Sequence, residues 1–166
     1  MPSSDNPNFL VRQVNEKVGR GLFATRRYLK GQVIRVFKGT PKHISELPKE
    51  YSPDDPSYLQ VGKNHYFADE GVSTYYLNHS CNPNAGIKFA GNKIKLVAIQ
   101  FIGVDDEITF DYSTTSYRSG WSMNCECSAQ GCRKVIGDFA DLPTEVKEYY
   151  IRLGVVAPYC LEDGDI

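Results

Sequence analysis

Three cysteines, Cys125, Cys127 and Cys132, stand in a C-x-C-x4-C spacing towards the end of a 166-residue chain. Thiolates this close in sequence suit zinc, which takes a tetrahedron of soft ligands at about 2.3 Å. Three ligands leave one position open, and Cys81, distant in the chain, is a candidate for it. Three buried free thiols, or a redox pair, are the other reading of the same spacing. Cys160 has no close partner in sequence. A second concentration of chemistry is Tyr76-Leu77-Asn78-His79-Ser80-Cys81-Asn82-Pro83-Asn84. Asn-Pro and flanking Asn residues build turns, but a turn alone leaves His79 and Cys81 unexplained. A third is Asp106-Glu107-Ile108-Thr109-Phe110-Asp111-Tyr112, a strand-like run that ends in an acid and a tyrosine.

The elements that must position these residues are mostly short strands. Phe9 to Val14 reads as a strand, Gly19-Arg20-Gly21 as a turn, and Leu22 to Thr25 as the segment leading out of it. Gln32 to Phe37 is a further strand, closed by Gly39 and Pro41. Residues 42–57 are polar and proline-punctuated, and read as a loop. Tyr58 to Val61 with His65 to Ala68, and Gly86 to Phe89 with Lys93 to Ile99, read as two hairpins. Glu107 to Tyr112 is the last strand. One helix is expected after Pro143 and before Gly154, with Val146, Tyr149, Tyr150 and Leu153 on its apolar face. The chain therefore reads as a mainly β domain over 8–113, a cysteine-rich segment over 121–137, and a C-terminal helix and tail over 138–166.

Composition bounds the function. Hydrophobic residues make up 41% of the chain, enough for a packed core, and the formal net charge is -1. That balance argues against electrostatic nucleic-acid binding. No apolar run is long enough for a membrane span. The polar N-terminal stretch lacks the apolar core of a secretory signal. An intracellular protein is expected, nuclear if eukaryotic, and in a reducing compartment clustered cysteines favour metal over disulfides. The Asn78-His79-Ser80 glycosylation sequon is then accidental. His43 and His65 read as surface residues. The acidic stretches Asp54-Asp55, Asp69-Glu70 and Asp105-Asp106-Glu107 read as solvated faces that a basic peptide could also meet.

The order of these motifs resembles the SET-domain family of protein lysine methyltransferases with a post-SET zinc segment. The resemblance runs from Gly19-Arg20-Gly21-Leu22-Phe23 through Asn78-His79-Ser80-Cys81 and Glu107-Ile108-Thr109-Phe110-Asp111-Tyr112 to Cys132. It implies a SET fold of small antiparallel sheets with a pseudoknot, a zinc-stapled C-terminal segment and one short helix. It implies S-adenosylmethionine as co-substrate, and zinc held by Cys81, Cys125, Cys127 and Cys132. By resemblance, Arg20, Gly21 and Leu22 contact the methionine part of the cofactor, and Asn78 and His79 hold its adenine and methionine ends, with Tyr76 nearby. Tyr112 places its hydroxyl at the methyl-transfer centre, which makes Tyr112, His79 and Phe110 the catalytic group. Phe110 matches the position where Phe or Tyr influences how many methyl groups are added. Phe37, Tyr58, Tyr66 and Phe110 are the candidates for the lysine channel, and Phe37 stands where the family often has a tyrosine. Trp121 and Tyr117 are near enough to the cysteine loop to help cover the adenine.

Such a site suits the chemistry. The reaction is an in-line displacement, and its barrier falls largely through alignment. The attacking amine must be neutral, although free lysine has a pKa of about 10.4. Aromatic walls disfavour the ammonium by desolvation. The implied partner is a lysine-bearing protein or peptide, a histone tail among the candidates. The rival reading is a catalytically weak SET-like module that binds such a peptide without turnover.

Overall fold

A computed structural model describes residues 8–50, 58–69 and 73–162. Its strands form four small sheets. The sheet that carries the site has the order β1-β2-β10-β7, with β1 at Phe9–Asn15, β2 at Gly19–Ala24, β7 at Asn78–His79 and β10 at Glu107–Phe110. Neighbours β1, β2 and β10 run antiparallel, whereas β7 joins β10 in parallel, Thr109 opposite Asn78 and Phe110 opposite His79. A second sheet has the order β3-β9-β8, from Val33–Val36, Lys93–Ala98 and Ala85–Ala90. A third, β4-β6-β5, is built from Lys42–His43, His65–Phe67 and Leu59–Gly62. The cysteine segment contributes only the two-residue ladder of β11 (Met123–Asn124) and β12 (Val135–Ile136).

Both expected hairpins are present, with Ala85 to Ala90 registered residue by residue against Ala98 to Lys93. The helix is present too: after the single turn α1 at Ser73–Tyr76, α2 spans Thr144–Leu153, starts after Pro143, and stops at Gly154, whose φ of 67° is the left-handed conformation glycine takes without strain. Tyr149 departs from the expected apolar face and is exposed, while Val146, Tyr150 and Leu153 pack inward. The expected turn at Gly19-Arg20-Gly21 lies one step earlier. The Asn15 side-chain oxygen accepts from the N–H groups of Lys17 and Val18, so the chain reverses at 16–18 and Gly19 to Gly21 is strand. Residues 42–46, read as loop, form β4 and a 3₁₀ turn at Ile44–Glu46, while 51–57 lie outside the described residues. So do Asp54, Asp55 and Glu70 of the acidic stretches. Asp69 is not on a solvated face. It is buried, pairs with Arg35 Nε at 2.7 Å, and accepts the Lys38 N–H.

Two apolar cores result. The larger gathers Leu22, Ile34, Ile87, Leu96, Ile102 and Ile108, none exposed above 1%. The smaller forms where the C-terminal part folds back on the outer face of β8 and β9: Val97, Ile99, Phe139, Leu142, Tyr150, Val155 and Tyr159. Gly86 lets this happen, because a Cβ there would press on the Val155 side chain at 2.8 Å. Among the described residues no helix is long and apolar enough to cross a membrane.

Candidate active site and metal centre

The parallel β7–β10 ladder sets the site. It puts Asn78 and His79 beside the end of β10, where the chain turns into a 3₁₀ segment at Tyr112–Thr115. Asn78 reaches across to β2: its side-chain nitrogen donates to Arg20 O at 2.9 Å and to Glu107 Oε1 at 2.8 Å. Both partners are acceptors, so the amide oxygen faces away from them. Gly21 makes room, since a Cβ there would meet Glu107, the Val14 methyl at 2.8 Å and Asn78 Nδ2 at 2.9 Å. Arg20 and Gly21 thus lie against Asn78, whereas the Leu22 side chain is fully buried in the larger core and leaves only backbone to a ligand.

His79 is half-buried between the strand end and the thiols. Its Nδ1 accepts the Tyr112 N–H at 3.2 Å, and its Nε2 lies 3.3 Å from Cys81 Sγ. Burial lowers its pKa to about 4, against the opposing pull of Asp111, so the ring is neutral near pH 7. With Nδ1 accepting, Nε2 carries the proton and points it at the Cys81 sulfur. Tyr112 Oη donates to Leu77 O at 2.9 Å, and burial, reinforced by Glu107, raises its pKa.

The ligand atoms of His79, Cys81, Cys125 and Cys127 all lie within 4.8 Å of one another. Four sulfurs at about 2.3 Å from a tetrahedral zinc stand about 3.8 Å apart, and Cys81 Sγ is 3.7 Å from Cys125 Sγ. The donor chemistry and the spacing fit zinc. Cys132, the other expected ligand, is not in that group of four, although its side chain interacts with the thiols of Cys125 and Cys127. Backbone N–H groups already face the sulfurs, Cys81 N towards Cys127 Sγ at 3.5 Å and Arg133 N towards Cys81 Sγ at 3.4 Å. With Nδ1 accepting from Tyr112, His79 faces this cluster through Nε2, 3.3 Å from the Cys81 sulfur.

The aromatic candidates separate into groups. Tyr112 is central, with ring centroids 5.0 Å from Phe110, 5.3 Å from His79 and 6.4 Å from Trp121. Trp121 comes from the cysteine segment and is half-exposed. Phe37 packs on Phe67 at 6.2 Å. Tyr66 sits on the β5–β6 hairpin opposite Gln60, with Tyr58 just before β5. Tyr117 turns to the smaller core, its ring 6.3 Å from Tyr159. Tyr76 is partly buried against the larger core, its ring 4.7 Å from Tyr75. Asp111 was missed by the sequence reading. It lies inside a quoted motif, yet its partners Arg133 and Tyr150 are 22 and 39 residues away, and no local signal announces them.

A family profile described as "SET domain" matches residues 19–113. The chain belongs to the SET-domain family. It is 32% identical over 72 residues to the putative histone-lysine N-methyltransferase ASHH4 of Arabidopsis thaliana, covering 41% of this chain and 20% of that protein. It is 30% identical over 138 residues to the histone-lysine N-methyltransferase Set2 of Drosophila melanogaster, covering 76% of this chain and 6% of that protein. The chain thus spans well under half the length of these curated relatives. Among solved structures, its fold resembles KRYPTONITE in complex with mCHH DNA, an H3(1-15) peptide and SAH. There the TM-score is 0.59 and the identity 18%, over 78% of this chain and 29% of the other.

Proposed function

We propose that this chain is the catalytic domain of a protein-lysine methyltransferase. It takes the methyl group from S-adenosylmethionine and holds one zinc on Cys81, Cys125, Cys127 and Cys132. The observation that carries the reading is the convergence of Asn78, His79 and Tyr112 on one parallel ladder, edged by a thiol cluster of zinc dimensions. The KRYPTONITE complex supports it, since that protein, which shares the fold, was crystallised with SAH and a histone H3 peptide.

Bound S-adenosylmethionine supplies an electrophilic methyl group on a sulfonium. The residues of this chain do the rest. The Asn78 amide oxygen, turned away from Arg20 and Glu107, accepts a cofactor amino group. The backbone at Arg20 and Gly21 lies close beside it. Tyr112 keeps its proton on Leu77 O, so its hydroxyl oxygen presents lone pairs for weak contacts with the polarised methyl group. The rings of Phe110, Tyr112 and Trp121 exclude water from the arriving side chain, which disfavours the ammonium, so the lysine Nζ sheds its proton to solvent before attack. The same faces hold a methylated ammonium by cation–π attraction. Cys81, Cys125, Cys127 and Cys132 would hold zinc, which would staple the cysteine segment beside this site.

A histone H3 tail is the first substrate to test. Incubation of the protein with H3 peptides and labelled S-adenosylmethionine, read by mass spectrometry, should give methyl additions on a lysine. Label in no histone or other basic protein, with cofactor binding intact, leaves a peptide-binding module as the function.

A further inference from the structure

Asp111 immediately precedes Tyr112, and its side chain is fully buried. Three parts of the chain meet on its carboxylate. Arg133, the residue after Cys132, forks onto it, with Nη2 2.8 Å from Oδ1 and Nη1 2.8 Å from Oδ2, the two-pronged geometry of strong charge-assisted pairs. The Ser113 N–H donates to Oδ1 at 3.1 Å, at the start of the 3₁₀ turn. The Tyr150 hydroxyl, from the middle of α2, donates to Oδ2 at 3.0 Å. Burial, then Asp111 itself, raise the Tyr150 pKa, so the hydroxyl remains a donor. Beyond the carboxylate, Oδ1 stands 3.6 Å from His79 Nδ1, the atom that receives the Tyr112 N–H.

A buried carboxylate is costly unless paired, and Arg133 already supplies the compensating charge. Nor is the Tyr150 hydroxyl needed to dock α2. Val146, Leu153 and Val155 pack into the smaller core, and the Ala157 N–H bonds Thr114 O at 2.9 Å. What the hydroxyl adds is direction. Arg133 and Tyr150 together fix the plane of the carboxylate, and that plane aims Oδ1 at Ser113 and towards His79. We infer that Tyr150 is a positioning residue for Tyr112: its hydroxyl orients Asp111, Asp111 anchors the turn that begins at Tyr112 through the Ser113 N–H, and the Tyr112 N–H in that turn sets His79. This makes a helix outside the matched residues 19–113 a working part of the site. The inference rests on the proposed methyl transfer for its kinetic arm only.

The test uses Tyr150→Phe in the zinc-loaded full chain, with Tyr149→Phe as the exposed control one residue away. The chain has three histidines, His43, His65 and His79, so imidazole resonances assign easily and two of them are remote references. Expected for Tyr150→Phe is a kcat lowered about tenfold, with both KM values within about twofold. The His79 ring signals should shift, His43 and His65 should not, and Tyr149→Phe should change nothing. Unmoved His79 signals overturn the inference, whether kcat is retained or falls through lost stability. A wild-type protein without turnover would overturn the methyl-transfer reading instead, and the His79 shifts would then decide the coupling alone.

Discussion

The β3–β9–β8 sheet and the cysteine segment lie in one chain but hold their shape by different means. In the sheet, a run of paired residues from Ala85 to Ala90 buries Ile87 against Leu96, and both side chains are fully shielded. In the cysteine segment, the only ladder joins Met123 to Ile136 and Asn124 to Val135, and both Met123 and Val135 are exposed. The first region is stabilised by apolar area, on the order of 25 cal/mol per Å² buried. The second has little such area. What it has instead is a thiol cluster whose spacing fits zinc, and Arg133 reaching Asp111. On the proposed zinc reading, the scaffold is self-supporting and the cover over the site is conditional on metal.

The largest break in that contrast should come from the metal. Chelation, or Cys127→Ser with Cys132→Ser, should remove zinc and cut turnover about a thousandfold or more, since structural zinc contributes about 10 kcal/mol or more to small sites. Far-UV circular dichroism should keep its strand signal, and elemental analysis should fall from one zinc per chain to none. Retained zinc in the double variant would remove these two cysteines from the site. The complementary break is Leu96→Ala, which should lower global stability by about 3 kcal/mol in urea titration while leaving zinc stoichiometry unchanged. Tyr112→Phe should lower kcat about a hundredfold with cofactor affinity nearly intact, because its hydroxyl acts at the transferring methyl. A near-normal kcat would move that role to another residue.

Smaller effects sharpen the comparison. On the proposed reading, phenylalanine at 110 leaves the channel without a hydroxyl beside Tyr112 to anchor water, so a methylated amine can rotate. Di- or trimethyllysine is the expected product, and Phe110→Tyr should shift it towards monomethyllysine by about a fewfold in product ratio. A wild type that stops at monomethyllysine, seen by mass spectrometry at long times, defeats the channel argument. Last, Cys160 is buried and its thiol is pushed up to about 12, by burial and then by Asp138. After chelation under native conditions, alkylation at neutral pH should label the four clustered cysteines and spare Cys160. Labelling of Cys160 at an equal rate would mean that the smaller core opens together with the metal loop.

Sequence carried the elements whose signals are local. Pro143 and Gly154 bracket α2 because helix ends have their own chemistry, and both hairpins announce themselves through glycine and asparagine turns. The motif order also delivered the site residues as candidates by family resemblance. What stayed hidden depends on distant partners. Strand β7 is two residues long and exists only through its parallel pairing with β10, so Asn78-His79 reads locally as a turn. The strand at Gly19–Gly21 was taken for a turn because glycine there serves the approach of Asn78 and Glu107 rather than a chain reversal. Asp69 reads as a surface acid and Asp111 carries no role of its own in sequence, and only the fold brings Arg35 and Arg133 to them.

The β7–β10 ladder also has a consequence for the order of synthesis. Chains emerge from the ribosome N-terminus first, and Phe110 must pair with His79, 31 residues earlier. Such non-local pairing is slow to form. Arg133 and Tyr150 follow β10 in the chain and emerge after it. Until they emerge, Asn78, His79 and Tyr112 stand without the cysteine segment and without the partners of Asp111. The site is therefore complete only once Arg133 and Tyr150 have joined it, well after the ladder residues themselves have emerged.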